Sequence, residues 1–461
     1  MDGFITALVK YSGIKQPKTN NKWILNVNST GKLLNERQYG RDPIADHLVE
    51  AIVEHAGKTG KMEPIEVAQM LSNTARFGPK MFHELCDHHP TIAKAMKDFL
   101  LATQSKVPWA NRKDLAVGNH PFEENAVLGF VALGCVSLLD CYCWANEAEV
   151  LGLTHQMSEH LERRIPETAQ FVIDVMSDNA LIDHDYEHGD DCDPENAPKG
   201  IRAIQKIRLM HALMRWLILF DPGNASDAEG DGTIPAAWEH LMRSQWSIPV
   251  QGYPISQTFM AGTLLTFSWV VIKSMRKMWA TVSKEHGLEY LHIWKIIGYK
   301  LGVDEDLLAF FDTEESAADL HQAMMENYRA PTQQGVALAM ALERYMVRNI
   351  VDHIPAHKLF GMHKFPRIAM WHLCGPDTAR TVGMVPGLGG RTFGWVVWQG
   401  LRTVGFMSRL PVLKHLSLHI FAWLGRAMWG WRHADDEVDH SVRRPRIVAS
   451  HANKWKVKRK K

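Results

Sequence analysis

The chain has 461 residues, 46% of them hydrophobic and 22% charged, with 33 Gly and 21 Pro. That balance excludes collagen-like, low-complexity and wholly disordered classes and allows a large buried core. Lys and Arg number 52 against 51 Asp and Glu, a net charge of +1, so no overall field argues for nucleic acid or another polyanion as partner.

From the N-terminus, residues 1–13 lack a basic stretch followed by an apolar run and carry no twin-Arg pair, so no signal peptide is expected. Residues 1–39 read as an N-terminal extension. Apolar spacings of three and four then predict helices over 45–55, 64–73, 91–103, 126–151, 167–176, 200–220, 257–277, 289–300, 314–327 and 334–350. Alternating strand patterns and hairpin dipeptides are scarce. The expected fold is all-α, a multi-helix globular bundle occupying residues 40–350.

Two acidic, Gly/Pro/Asn-rich stretches, 184–199 and 221–233, interrupt the helices and read as surface loops. The first holds His184, His188 and Cys192 among several Asp, open to reading as a metal cluster, although a fixed tetrahedral spacing is missing and a solvated acidic loop explains it equally. The longest uncharged stretch, 251–272, is long enough to span a membrane but contains Gln, Tyr, Pro and several Ser/Thr, so a buried helix is expected. Six cysteines, Cys86, Cys135, Cys141, Cys143, Cys192 and Cys374, are too sparse for a disulfide scaffold and read as reduced thiols of a cytoplasmic protein.

Beyond about residue 352 the sequence turns Gly-, Trp- and Arg-rich, and 351–461 forms a separate basic, Trp-rich region. Residues 391–461 carry 15 Lys/Arg and 4 Asp/Glu, net +11, which leaves −10 for residues 1–390. Trp395, Trp398, Phe406, Phe421, Trp423, Trp429 and Trp431 alternate there with Arg402, Arg409, Lys414 and Arg426. Such a helical extension suits either the headgroup region of a bilayer, as a peripheral membrane attachment, or a helical pair packed on the body. The last eight residues, KWKVKRKK, are expected to be disordered and to add roughly 1 kcal/mol of attraction to an anionic membrane per basic residue.

The familiar phosphate-binding, serine-hydrolase, zinc-protease and dinucleotide motifs are absent. The glycine cluster at 387–390 is not set between a strand and a helix. Cys141-Tyr142-Cys143 is not a C-x-x-C pair, and C-x-x-C-H is missing, so covalent haem attachment is not indicated.

The helix at 200–220 is the informative one. Ile204, Ile207, His211, Met214 and Ile218 fall at alternating steps of three and four, placing His211 within an apolar stripe. Leaving a buried polar group unsatisfied costs roughly 1–3 kcal/mol, so His211 either finds a hydrogen-bond partner or ligates a metal. Arg208 lies three residues before it and Arg215 four after, near the same face. One imidazole with two flanking cations suits a haem, whose iron takes a neutral axial base and whose propionates need neutralising. A satisfied core histidine beside two surface arginines is the other reading.

Arg208-Leu-Met-His211-Ala212-Leu-Met-Arg215 resembles the R-x-x-H-A-x-x-R signature of the latex-clearing-protein and MpaB-type oxygenases, all-helical proteins that hold haem b noncovalently. Arg163-Arg164-Ile-Pro-Glu-Thr168 resembles the family's R-R-x-x-x-T segment. Gly252-Tyr-Pro-Ile-Ser-Gln257 with Phe267-Ser268, and Tyr290-Leu-His-Ile-Trp294 with Gly298 and Gly302, resemble its later segments in the same order. The resemblance covers roughly residues 40–350.

It implies that His211 is the proximal ligand of a haem b iron, with Arg208 and Arg215 as propionate partners and Arg164 and Thr168 on the distal side. The rubber-cleaving members carry a distal lysine where this chain has Glu167, and a catalytic glutamate whose spacing falls here on Ala148, between Glu147 and Glu149. Either glutamate is a candidate base. The resemblance further implies an oxidoreductase that uses dioxygen to cleave or oxygenate a carbon–carbon double bond in an apolar, polyprenyl or isoprenoid-like substrate. A b-type haem protein for electron transfer or gas sensing, and a membrane-associated interaction protein without haem, are the alternatives from other classes.

Overall fold

Helices dominate the computed structural model, which describes residues 29–59, 90–110, 125–153, 156–177, 179–181, 197–219, 246–349, 351–353, 362–387 and nine further positions, 390, 394–395, 398–400, 402–403 and 406. In chain order they are α1 (Ser29–Arg37), α2 (Pro43–Thr59), α3 (Pro90–Gln104), α4 (Ala126–Ala132), α5 (Leu138–Cys143), α6 (Ala145–Leu153), α7 (Gln156–Met176) and α8 (Lys199–Leu219). They continue as α9 (Ile248–Gln251), α10 (Gln257–Phe267), α11 (Trp269–Lys277), α12 (Lys284–Lys300), α13 (Glu305–Leu308), α14 (Glu314–Tyr328), α15 (Gln333–Asn349), α16 (Phe365–Cys374) and α17 (Pro376–Thr381). Among the described residues there is no strand, only an isolated bridge between Trp144 and Arg329. The helix expected at 64–73, most of both acidic loops, Cys86, Cys192 and residues 407–461 lie outside the described residues.

The chain groups into two compact units. One comprises Asp42–Lys106, Asp183–Trp246 and Ala434–Lys461. Its described part is a trio of helices in which α2 packs on both α3 and α8. Asp42 sits just before α2 and its carboxylate accepts the Ala45 N–H at 3.3 Å, while Pro43 opens the helix where its missing N–H costs nothing. Leu48, Val49 and Ile52 of α2, Met96 and Phe99 of α3, and Ile204, Leu209 and Leu213 of α8 are buried. The trio also has a polar joint: Gln205 donates to the Thr103 hydroxyl at 3.0 Å, and that hydroxyl donates to the Phe99 carbonyl at 3.0 Å.

The other unit comprises Met1–Arg41, Val107–Ile182 and Ser247–His433. At its centre lies the long uncharged stretch, buried as its composition predicts, but as two helices, not one. The chain bends at Ser268 (φ −110°, ψ −87°), between α10 and α11. A bend of this kind frees carbonyls from the helical ladder, and neighbours take them up. The Ser137 hydroxyl donates to the Thr266 carbonyl at 2.5 Å, and the Tyr290 hydroxyl donates to the Phe267 carbonyl at 3.1 Å. Ser137 ends a π-helical turn, Leu133–Ser137, inserted between α4 and α5. Trp294 stacks on Phe267, and Gly298 lets α12 approach α10, since a Cβ there would meet a Leu264 methyl at 2.4 Å. The Tyr290-to-Gly298 segment is therefore the brace of the bend.

The helix expected over 126–151 is interrupted twice, by the π turn and by Trp144, which is extended (φ −83°, ψ 115°) and fully buried. Its carbonyl accepts the Ala148 N–H at 2.8 Å and so starts α6, while the Cys143 carbonyl leaves the helix to accept the Ala330 N–H at 3.0 Å.

Gln257, at the head of α10, joins three segments. Its backbone N–H donates to the Gly40 carbonyl, its amide nitrogen to the Gly302 carbonyl at 2.8 Å, and its amide oxygen accepts the Asp304 N–H at 2.9 Å. The neighbouring Thr258 hydroxyl donates to the Leu34 carbonyl at 2.6 Å, and Arg37 pairs with Asp306 across the same joint.

Candidate active site

On α8 the buried face is turned from the stripe expected at the sequence level. It runs through Ile201, Ile204, Gln205, Arg208, Ala212 and Arg215, while Ile207, His211 and Met214 are half-buried at its border. Two carboxylates meet this buried face. Arg208 donates from Nε to Asp42 Oδ2 at 2.6 Å and from Nη2 to Asp42 Oδ1 at 2.9 Å. Arg215 donates from Nε to Asp46 Oδ1 at 2.8 Å. Both guanidinium groups lie inside the helix trio, where a charge is costly without a hydrogen-bonded opposite charge. Arg208 and Arg215, expected as partners of propionates, thus hold the carboxylates of Asp42, just before α2, and Asp46, within it, and these contacts anchor α8.

His211 is left at the edge of that anchored face, with Ile207 one turn before it and Met214 one turn after. An imidazole with aliphatic and thioether neighbours, partly open and carried by a helix fixed through two ion pairs, has the donor type and polarity that a haem iron takes as an axial base. His211 therefore fits the expected ligand in chemistry. For the propionates the two arginines are less apt, because each is already matched to a carboxylate. Among the described residues no group of three or more His, Cys, Asp or Glu is arranged to hold a metal ion.

The two candidate glutamates of α6 diverge, as residues two apart on a helix must. Glu147 is half-buried and close enough to Cys141 to help push that thiol up. Glu149 faces the other way, and its Oε2 accepts from the Gln251 amide at 2.7 Å. Burial raises the Glu149 pKa above the usual carboxylate value and the Gln251 bond pulls it part of the way back. A carboxyl with a raised pKa and one fixed donor is suited to exchanging a proton. Gln251 carries no signal in sequence, since it stands in an uncharged run without a motif.

Arg164 and Thr168 lie on α7, which runs through Pro166 without ending, so the two are one turn apart on one continuous helix. Thr168 is half-buried; the Arg164 side chain is outside the described residues, as is that of Arg163. The thiols of the π turn and α5 are inert in character: burial pushes Cys135 up to about 12, and Cys141 and Cys143 also rise through burial. In the C-terminal region Trp398 stacks with His372 and faces Lys277, while Arg402 lies 4.4 Å from the Trp279 ring centroid, so this part packs on the unit to which it belongs. Trp395 and Phe406 remain exposed.

Residues 127–404 match the family model described as "ER-bound oxygenase mpaB/B'/Rubber oxygenase, catalytic domain". The match includes His211, Arg164, Thr168 and both glutamates, and runs on into the Trp-rich region. Among solved structures, a latex clearing protein in the closed state aligns with a TM-score of 0.56 at 16% identity, over 86% of this chain and 90% of that one. At that identity the alignment speaks for a shared all-helical fold. No curated protein sequence matches the chain. The matched span exceeds half of the chain, and the protein belongs to the family of MpaB-type and rubber-oxygenase catalytic domains.

Proposed function

We propose that the protein is a haem b-dependent oxygenase that cleaves or oxygenates a carbon–carbon double bond in an apolar, isoprenoid-like substrate. The observation that carries this reading is Glu149, a partly buried carboxyl with a raised pKa and one fixed donor, within the span matched by an oxygenase family. His211 is the residue to hold the iron, on the anchored helix α8. When bound, the haem supplies the one-electron chemistry that lets dioxygen react with a closed-shell alkene.

The chain's own residues do the rest. Glu149 takes a proton from an allylic carbon of the substrate and returns it, ending unchanged. In scission both alkene carbons become carbonyls, and both oxygen atoms come from one dioxygen. Arg164 and Thr168, one turn apart on α7, are assigned to the distal side on the strength of the motif resemblance. An apolar substrate is held by burial at roughly 25 cal/mol per Å², with few polar contacts.

The absorption spectrum of the purified full chain tests the cofactor: a Soret band is expected, and its loss in His211→Ala. A colourless protein, or an unchanged band in that variant, overturns the assignment. Product analysis on a polyprenyl alkene under oxygen tests the reaction, with carbonyl products expected and none for a mere haem carrier. The exposed Trp395 and Phe406 and the basic stretch after them are further assigned to a membrane surface, where such a lipid dissolves. Removing residues 407–461 should release the protein from anionic vesicles, and unchanged binding would refute that attachment.

A further inference from the structure

The Gln251 side chain is bonded at both ends. Its Oε1 accepts the Ser247 backbone N–H at 2.9 Å, and its Nε2 donates to Glu149 Oε2 at 2.7 Å. A backbone N–H can only donate and a carboxylate can only accept, so the amide has a single orientation that satisfies both.

The main chain of Gln251 is tied to the same helix. Asn146, one turn before Glu149 on α6, donates from Nδ2 to the Gln251 carbonyl at 2.9 Å. Beyond Gln251 the chain is equally constrained. Gly252 adopts φ +73°, a Cβ there would meet the Gln38 carbonyl oxygen at 2.3 Å, and the Tyr253 N–H donates to that carbonyl at 2.9 Å. The amide that meets Glu149 is thus carried on a backbone fixed from both sides.

We infer that Gln251 is a positioning residue that engages Oε2 of Glu149 and holds its carboxyl in one rotamer, leaving Oε1 as the oxygen that exchanges a proton with substrate. This rests on the reading of Glu149 as the base. It also explains how a half-buried carboxyl keeps a defined direction: a lone carboxyl rotates freely about its last torsion, whereas one with an oxygen held by a fixed donor presents the other.

The test replaces Gln251 in the full chain by Met, which keeps length and removes the donor. Infrared titration follows the Glu149 carboxyl, identified by subtracting Glu149→Gln spectra in each background. Loss of the donor is expected to move its midpoint upward and to lower kcat about tenfold or more, the worth of a hydrogen bond to a charged group, with KM unchanged. If Gln251→Met does not fold, Gln251→Asn withdraws the donor by one methylene and keeps a polar amide, with the same expected shift. An unmoved carboxyl midpoint in a folded variant overturns the inference. If the midpoint moves but Glu149→Gln retains full turnover, the hydrogen bond stands and the assignment of Glu149 as base falls.

Discussion

Arg208 and Asp42 meet through two hydrogen bonds, 2.6 and 2.9 Å, with side chains 4% and 1% exposed. Removing one partner of such a pair strands a buried charge. Asp42→Ala is expected to cost about 3 kcal/mol or more, and replacing both members by apolar residues, Asp42→Leu with Arg208→Met, to recover most of it. Thermal unfolding of the two single variants and the double variant checks this. Losses in the singles that simply add in the double would show that the pair is not coupled.

The bend at Ser268 is held by hydroxyls from two other helices, so each hydroxyl has a measurable worth. Tyr290→Phe leaves the Phe267 carbonyl without this donor, and Ser137→Ala does the same for Thr266. Each is expected to lower stability by about 1 kcal/mol. Because the two carbonyls are consecutive, the double variant should depart from the sum of the singles. Urea unfolding of the three variants decides it.

Burial holds the Glu149 pKa above its ordinary value, and Gln251 offsets only part of the rise. A carboxyl raised on folding favours the folded state when protonated. Its contribution is fully present below the unfolded pKa and is lost as pH rises through the folded one. Glu149→Gln, which cannot ionise, should therefore gain stability relative to the parent as pH is raised from about 4 to about 7. In turnover, where the base must be unprotonated, the acid limb should lie at higher pH than an ordinary glutamate gives. Melting curves across that range and a pH–rate profile report the two effects separately.

Cys135, Cys141 and Cys143 are buried, and burial keeps their thiols protonated at neutral pH. Alkylation of the native protein near pH 8 should leave all three unmodified, while unfolded protein reacts at each, since the thiolate is the nucleophile. Peptide mass spectrometry distinguishes the cases, and rapid native labelling of Cys143 would contradict the packing around α5.

The helices were legible because periodicity is local. Helix is present wherever an expected helix falls on described residues, although the two longest expectations, 126–151 and 257–277, are each broken into shorter pieces. What the sequence hid is non-local. Nothing near Arg208 reveals that its partner is 166 residues away, or that Arg215 reaches a carboxylate 169 residues away, so both looked like free cations. The break at Trp144 comes with a bridge to Arg329, and the bend at Ser268 with bonds from Ser137 and Tyr290, where periodicity alone reads one helix over 257–277. His211 was singled out by its neighbours in sequence, whereas Gln251 meets Glu149 through a contact 102 residues away and has no pattern to find.

The joint at Gln257 has a further consequence for how the chain comes into being. Leu34 is bonded to Thr258, 224 residues on, and Arg37 to Asp306, 269 residues on. During synthesis the first described helix emerges long before either partner exists, so its docking is deferred until more than half of the polypeptide has left the ribosome. Its closure is a late step of assembly, and a nascent chain stalled before residue 258 would lack the seat for it.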